Sequence, residues 1–190
     1  MLPMHGLATS ACFSLLAKFG EKECLYSFGA DTKVRDLSMT FQTKIFLNPI
    51  GQVKTEAVGD EVKDRSRISQ IILRDGLVEA LDGVEGFSNL FVLFWLNQIS
   101  RKERTTLKVH PRGRMDMPLL GVFATRTNLR PNPIGLTLVE LLKVEDNTLT
   151  VRGLDAFDGT PILDIKPFDS WDNAENARVP DWWIKLNEKL

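Results

Sequence analysis

The chain has 190 residues, 43% of them apolar, with a formal net charge of −1. That length buries a full core and predicts one globular domain, and no apolar run approaches the roughly 20 residues that span a bilayer, so the expectation is a soluble, cytoplasmic protein with no membrane segment. Cys12 and Cys24 are the only cysteines and lie in no paired ligand spacing, which argues against a disulfide framework and against a metal site.

In chain order, Met1–Thr43 reads as an appendage of uncertain order. Its stretch LATSACFSLLAKFG lacks the basic start and small-residue cleavage site of a secretory signal, and a helical segment is expected around Leu7 to Phe19. Met39 is a candidate alternative start, because a regular pattern begins just after it. From Lys44 the sequence becomes a series of short strands punctuated by Gly, Pro, Asn and Asp, the mainly β pattern of a barrel or sandwich with a few short helices. KIFLNPIGQVKT opens it and SQIIL follows. RDGLVEALDGVEG predicts a short helical segment, and LFVLFWL a strand buried on both faces. LKVH, LLGVFATR, LTLVELLKV and TLTVRGL come next. The break EDN predicts a hairpin turn, with Asn147 able to take a left-handed conformation. PILDIK is the last expected strand, closing a domain over residues 44–168. In the tail, residues 169–190, PDWWIKLNEKL predicts a helix that packs Trp182, Trp183, Leu186 and Leu190 along one stripe.

Three segments carry the chemistry. RKERTTLKVHPRGR, Arg101–Arg114, holds six Lys/Arg against one Glu, the composition of a polyanion footprint and equally of a solvated loop. RTNLRPNPIG holds Asn132 between two prolines, so the backbone is stiff, and Arg126 and Arg130, four positions apart, can serve one pocket suited to carboxylate or phosphate, or merely cap carbonyls. GLDAFDGTPILDIKP brings Asp155, Asp158 and Asp164 beside a second constrained turn. Arginines on one rigid turn and carboxylates on another make two halves of a polar site. No G-x-G-x-x-G or P-loop is present, and His5 and His110 sit in no triad or metal-ligand setting, so neither a Rossmann-type nucleotide site nor serine or cysteine hydrolysis is indicated.

VHPRG, GVFATRTNLRPNPIGLTLVELL and GLDAFDGTPILDIKP, together with LNPIGQV, DRSRISQIIL and GVEGFSNLFVLFW, resemble the TsaA-like family, the tRNA methyltransferase O family, over about Ile45 to Pro167. The resemblance implies a small, dimeric β-barrel that uses S-adenosylmethionine to methylate the exocyclic amine of threonylcarbamoyl-adenosine, beside the anticodon of a tRNA. Residue by residue it implies cofactor contacts at Arg126, Leu136, Leu154, Asp155, Gln98 and Ile99, and a covering loop at Ser66, Arg67 and Ile68. Asp158 is the candidate proton acceptor. Arg112, Arg114, Arg130 and Asn132 are candidates for the tRNA phosphates or the threonylcarbamoyl carboxylate. Two departures stand out: Asn97 occupies the place where the family commonly has a histidine, and the short tail is similar to the compact archaeal form. The competing readings are a non-catalytic S-adenosylmethionine sensor and an RNA-binding barrel without cofactor.

Overall fold

Alternation of side chains across a strand, with a period of two, builds the core. The computed structural model describes residues 45–187. In it β1 (Gly51–Lys54), β2 (Ile68–Leu73), β3 (Asn89–Trp95), β6 (Ile134–Glu145), β7 (Thr148–Arg152) and β8 (Pro161–Pro167) close into an antiparallel barrel in the order β1-β2-β7-β6-β3-β8. Every second residue points inward. Val53, Ile71, Leu90, Val92, Phe94, Val139, Leu149, Val151 and Ile162 fill the interior, joined by Leu154 and Ala156 from the β7–β8 connection. Each such side chain contributes about 1.5–3 kcal/mol by leaving water. Among the barrel and sandwich readings of the strand pattern, the closed barrel is the one found.

Several expectations are refined. The opening strand starts at Gly51, and Ile45–Ile50 is irregular. RDGLVEALDGVEG forms two 3-10 segments, Asp75–Leu81 and Val84–Gly86. β3 alternates: Leu90, Val92 and Phe94 are buried, whereas Asn89, Phe91, Leu93 and Trp95 are half-buried on the outside. Its continuous apolar character has a local reason. Phe91 packs edge-on against Phe168, just after β8, at 5.5 Å, and Arg104 lies over Trp95 at 5.1 Å.

LKVH and LLGVFATR stand apart from the barrel as a two-stranded ribbon of β4 (Lys108–Val109) and β5 (Leu120–Gly121). In the β6–β7 hairpin it is Asp146, with φ of 49°, that takes the left-handed conformation. Asn147 instead donates its amide to the Leu73 carbonyl at 2.9 Å, tying the turn to the end of β2. The tail helix α1 (Asp181–Asn187) forms as expected, with Leu186 buried and Trp182 and Trp183 half-buried. Met1–Thr43, Met39 and Leu190 lie outside the described residues.

Candidate functional site

The register fixes which loops share an end. Lys54 of β1 pairs with Gln70 of β2, Ile68 with Arg152 of β7, Glu140 of β6 with Arg152, Trp95 of β3 with Ile134 of β6, and Phe94 with Ile162 of β8. The connections over residues 55–67, 96–133 and 153–160 therefore emerge at the same rim. This is where the three motif segments, far apart in sequence, converge.

The 55–67 loop is fastened by its own turns. Asp64 Oδ1 accepts from the Ser66 amide at 2.9 Å and hydroxyl at 2.7 Å, and these two bonds hold the Asp64 carboxyl below its ordinary value. Arg67 pairs with Glu61 at 3.0 Å, and the Arg67 carbonyl accepts from the Gly153 amide at 3.0 Å. Ser66, Arg67 and Ile68 thus sit directly against the start of the 153–160 loop. Gly153 has φ of 87°, and a Cβ there would stand 3.2 Å from the Arg65 carbonyl oxygen, so a side chain would meet both strain and crowding.

Within 153–160, the Thr137 hydroxyl of β6, buried inside the barrel wall, donates to Asp155 Oδ1. Arg65 approaches the other oxygen at 3.9 Å and donates to the Gly153 carbonyl at 2.9 Å. Arg65 and Thr137 are the residues that the sequence reading missed. Arg65 adjoins Ser66 in the DRSR run, and Thr137 is a polar residue at an inward position of an apolar strand. Leu154 is core, 3% exposed, so only its backbone faces the rim. Asp158 Oδ1 accepts from the Thr55 amide at 3.0 Å, with the Lys54 ammonium at 3.6 Å, so that oxygen serves the turn, while Oδ2 has no partner among the described residues.

On the other side of the rim, Gly135 explains its place in the NPIG turn. Facing Phe94 across the β3–β6 ladder, it would bring a Cβ within 2.7 Å of three ring atoms, so only glycine lets the buried ring lie there. Arg126 Nη2 donates to the Leu136 carbonyl at 3.3 Å and has no other partner among the described residues. The Leu136 side chain points outward and is 47% exposed. Gln98 is exposed, and Ile99 is held by its carbonyl, which takes two bonds from Arg104 at 3.3 and 3.1 Å. Asn97 is exposed, its amide donating to the Trp95 carbonyl at 2.8 Å.

Three of the arginines singled out for substrate are engaged internally. Arg130 donates to the carbonyls of Val122 and Thr125 at 3.1 and 2.9 Å, the capping role. Arg112, at φ of 52°, donates to the Leu186 carbonyl at 3.2 Å and to Asn187 Oδ1 at 2.9 Å, fastening α1 to the ribbon. Arg114 makes a two-point pair with Asp116, whose carboxylate raises the guanidinium pKa further. Asn132 is exposed, its carbonyl accepting from the Ile134 amide at 2.8 Å. His110 Nδ1 lies 2.8 Å from the Met117 carbonyl and, facing an acceptor, must carry the proton. Arg101, Lys102 and Lys108 of the basic segment are exposed and have no side-chain partner among the described residues.

Two open hollows, of about 400 and about 290 Å³, lie at the opposite end of the barrel around Val78–Glu85 and Pro49–Gln52, lined by none of the converging residues. Among the described residues no group of three or more His, Cys, Asp or Glu could hold a metal ion, and no helix is long and apolar enough to cross a membrane.

Fold and rim together define a class: a small closed antiparallel barrel whose polar site is built by loops at one end, unlike the parallel-sheet nucleotide folds. The chain belongs to the family of the tRNA-methyltransferase O N-terminal domain, whose model matches residues 59–172. It is 50% identical over 103 residues to the "Probable S-adenosyl-L-methionine-binding protein" of Methanothermobacter thermautotrophicus, covering 54% of this chain and 71% of that one. It is 40% identical over 129 residues to the S-adenosyl-L-methionine-binding protein of Archaeoglobus fulgidus, covering 65% and 89%. Among solved structures it is similar to TrmO from Pseudomonas aeruginosa, with a TM-score of 0.58 and 31% identity over 72% of this chain. It spans 62% of the length of that solved protein.

Proposed function

We propose that this chain binds S-adenosyl-L-methionine at the described rim and transfers a methyl group to tRNA, at the exocyclic amine of threonylcarbamoyl-adenosine beside the anticodon. The observation that carries the reading is the meeting of Ser66–Ile68, Gln98–Ile99, Arg126, Leu136 and Leu154–Asp155 at one end of a barrel of this family. The names of the relatives support the cofactor.

The residues suit that ligand. Asp155, oriented by Thr137 and Arg65, is a fixed acceptor for ribose hydroxyls. Arg126 keeps most of its donors for the amino-acid carboxylate, and the exposed Leu136 offers apolar surface. The Ser66–Ile68 backbone, pinned by Asp64 and by Gly153, covers the ligand from the β2 side. When bound, the cofactor supplies an already activated methyl on its sulfonium. The protein must then align the acceptor amine and take one proton, and Asp158, through Oδ2, which has no partner among the described residues, is the acceptor in this reading.

A homodimer belongs to the same proposal. The outward residues Ile134, Leu136 and Leu138 of β6 are exposed and stand beside Trp95, Leu93 and Phe91 of β3, an apolar face that a second copy would cover.

The test is transfer of labelled methyl from S-adenosyl-L-methionine to tRNA bearing unmethylated threonylcarbamoyl-adenosine, followed by nucleoside mass analysis. Label on that nucleoside supports the reading. Cofactor binding without transfer to any tRNA would replace it with the sensor reading.

A further inference from the structure

Phe123 is the most exposed of the aromatic side chains near the rim, 79% open to solvent, and the fold goes to some length to keep it there. It sits in the middle of the 3-10 turn Val122–Ala124, directly after β5. That turn is held at both ends. The Val122 amide donates to the Leu107 carbonyl at 3.0 Å, and the carbonyls of Val122 and Thr125 both accept from Arg130. The same guanidinium lies over the Phe123 ring, 5.7 Å from its centroid. One face of the ring is thus backed by a fixed cation while most of its surface stays open. A rigid aromatic held this way loses little entropy when a flat partner stacks on it.

The surroundings select the partner. Lys108 pairs across the ribbon with Gly121, two residues before Phe123, and its ammonium is unpaired among the described residues. An open aromatic face flanked by cations fits the stacked base and adjoining phosphates of an unpaired nucleotide. Leu107, Met115 and Leu119 of the same ribbon are also exposed, so a second copy of the chain is the competing occupant, and the oligomeric state distinguishes the two. We propose that Phe123, backed by Arg130, is a stacking platform for an unpaired base of the RNA substrate, with Lys108 holding a neighbouring phosphate. Arg130, named above as a candidate for direct substrate contact, becomes a positioning residue that acts through the ring.

The inference rests on the tRNA reading, so the test separates the two. The probe is a stem–loop RNA carrying 2-aminopurine in its unpaired loop, titrated with the full chain in the absence of cofactor. Wild-type protein should bind it and quench the 2-aminopurine fluorescence. Phe123→Ala should lose the quenching and bind about tenfold more weakly, while Phe123→Trp retains both. Arg130→Lys should reduce quenching more than affinity, because it loosens the ring without removing it. S-adenosyl-L-methionine affinity measured by calorimetry should be the same in Phe123→Ala as in wild type. Phe123→Ala that binds and quenches like wild type overturns the platform and leaves the tRNA reading standing. Wild-type protein that binds no RNA overturns both. A change in oligomeric state in Phe123→Ala, with RNA affinity unchanged, would assign the ring to contact between copies and so also overturn the platform.

Discussion

Replacing Gly135 by alanine adds one methyl group at the most crowded point of the β3–β6 ladder. The new Cβ would lie within 2.7 Å of three ring atoms of Phe94, against the 3.5 Å or more of ordinary contact, and Phe94 is 2% exposed inside the core cluster. The ring is packed inside the core cluster, so either it leaves its rotamer or β6 moves away from β3. Overpacking of this kind costs about 1–3 kcal/mol. For a domain of this size each kcal/mol lowers Tm by about 2–4 °C, so Gly135→Ala should melt about 2–12 °C below wild type in calorimetry. The remedy identifies the cause. Adding Phe94→Leu removes the offending ring atoms, and the double variant should be more stable than the sum of the single effects by about 1 kcal/mol. A Gly135→Ala protein with wild-type Tm, or additive single effects, would refute the claim that the glycine exists to admit Phe94.

Arg126→Ala should leave Tm unchanged and weaken S-adenosyl-L-methionine binding by about 10- to 100-fold in calorimetry, the loss for hydrogen bonds to a charged group. Alanine at Arg101, Lys102 or Lys108 should each flatten the log–log salt dependence of tRNA binding by about one unit, whereas Arg114→Ala, whose guanidinium already serves Asp116, should leave the slope nearly unchanged. Filter binding across a salt series measures both. Since its bonds from Ser66 depress the Asp64 pKa in the folded state, their contribution is present above the ordinary aspartate value of about 4 and is lost as pH falls through the folded-state value. The protection of the Ser66 amide, read as its exchange rate relative to the intrinsic rate at each pH, should therefore fall on acidification in wild type and show no such step in Asp64→Asn.

The strands were legible because they alternate. ISQIIL and TLTVRGL place Ile71, Leu73, Leu149 and Val151 inward by a period of two, and the structure does the same. LFVLFWL hid its alternation because its outer residues are apolar too, and only the positions of Phe168 and Arg104 reveal why. The left-handed residue of the hairpin is Asp146 and not the expected Asn147, because both tolerate that conformation and the choice is made by the long-range bond from Asn147 to Leu73. At the site, motif residues were readable one by one, but their roles depend on partners distant in the chain. Arg112, Arg114 and Arg130 have the same appeal in sequence as Arg126. They differ only in that α1, Asp116 and a 3-10 turn have already claimed them. Arg65 and Thr137 lie within the matched segments, yet they acquire their role only by flanking Asp155.

The join between the first and last strands is the thinnest part of the cylinder. β1 and β8 share two register pairs, Gly51 with Ile162 and Gln52 with Pro161, where β3 and β6 share seven. The weld is extended past Pro161 by Thr160, whose carbonyl accepts from Val53, and by Gly159, whose amide donates back to it. Asp158 then fastens to Thr55 and Lys54. The connection that displays Asp155 is thus also the clasp of the barrel, and a molecule gripping that connection tightens the whole cylinder at its weakest seam. Loosening the clasp unmakes the site and exposes two raw sheet edges in the same event, so binding competence and protection from edge-to-edge association are lost together.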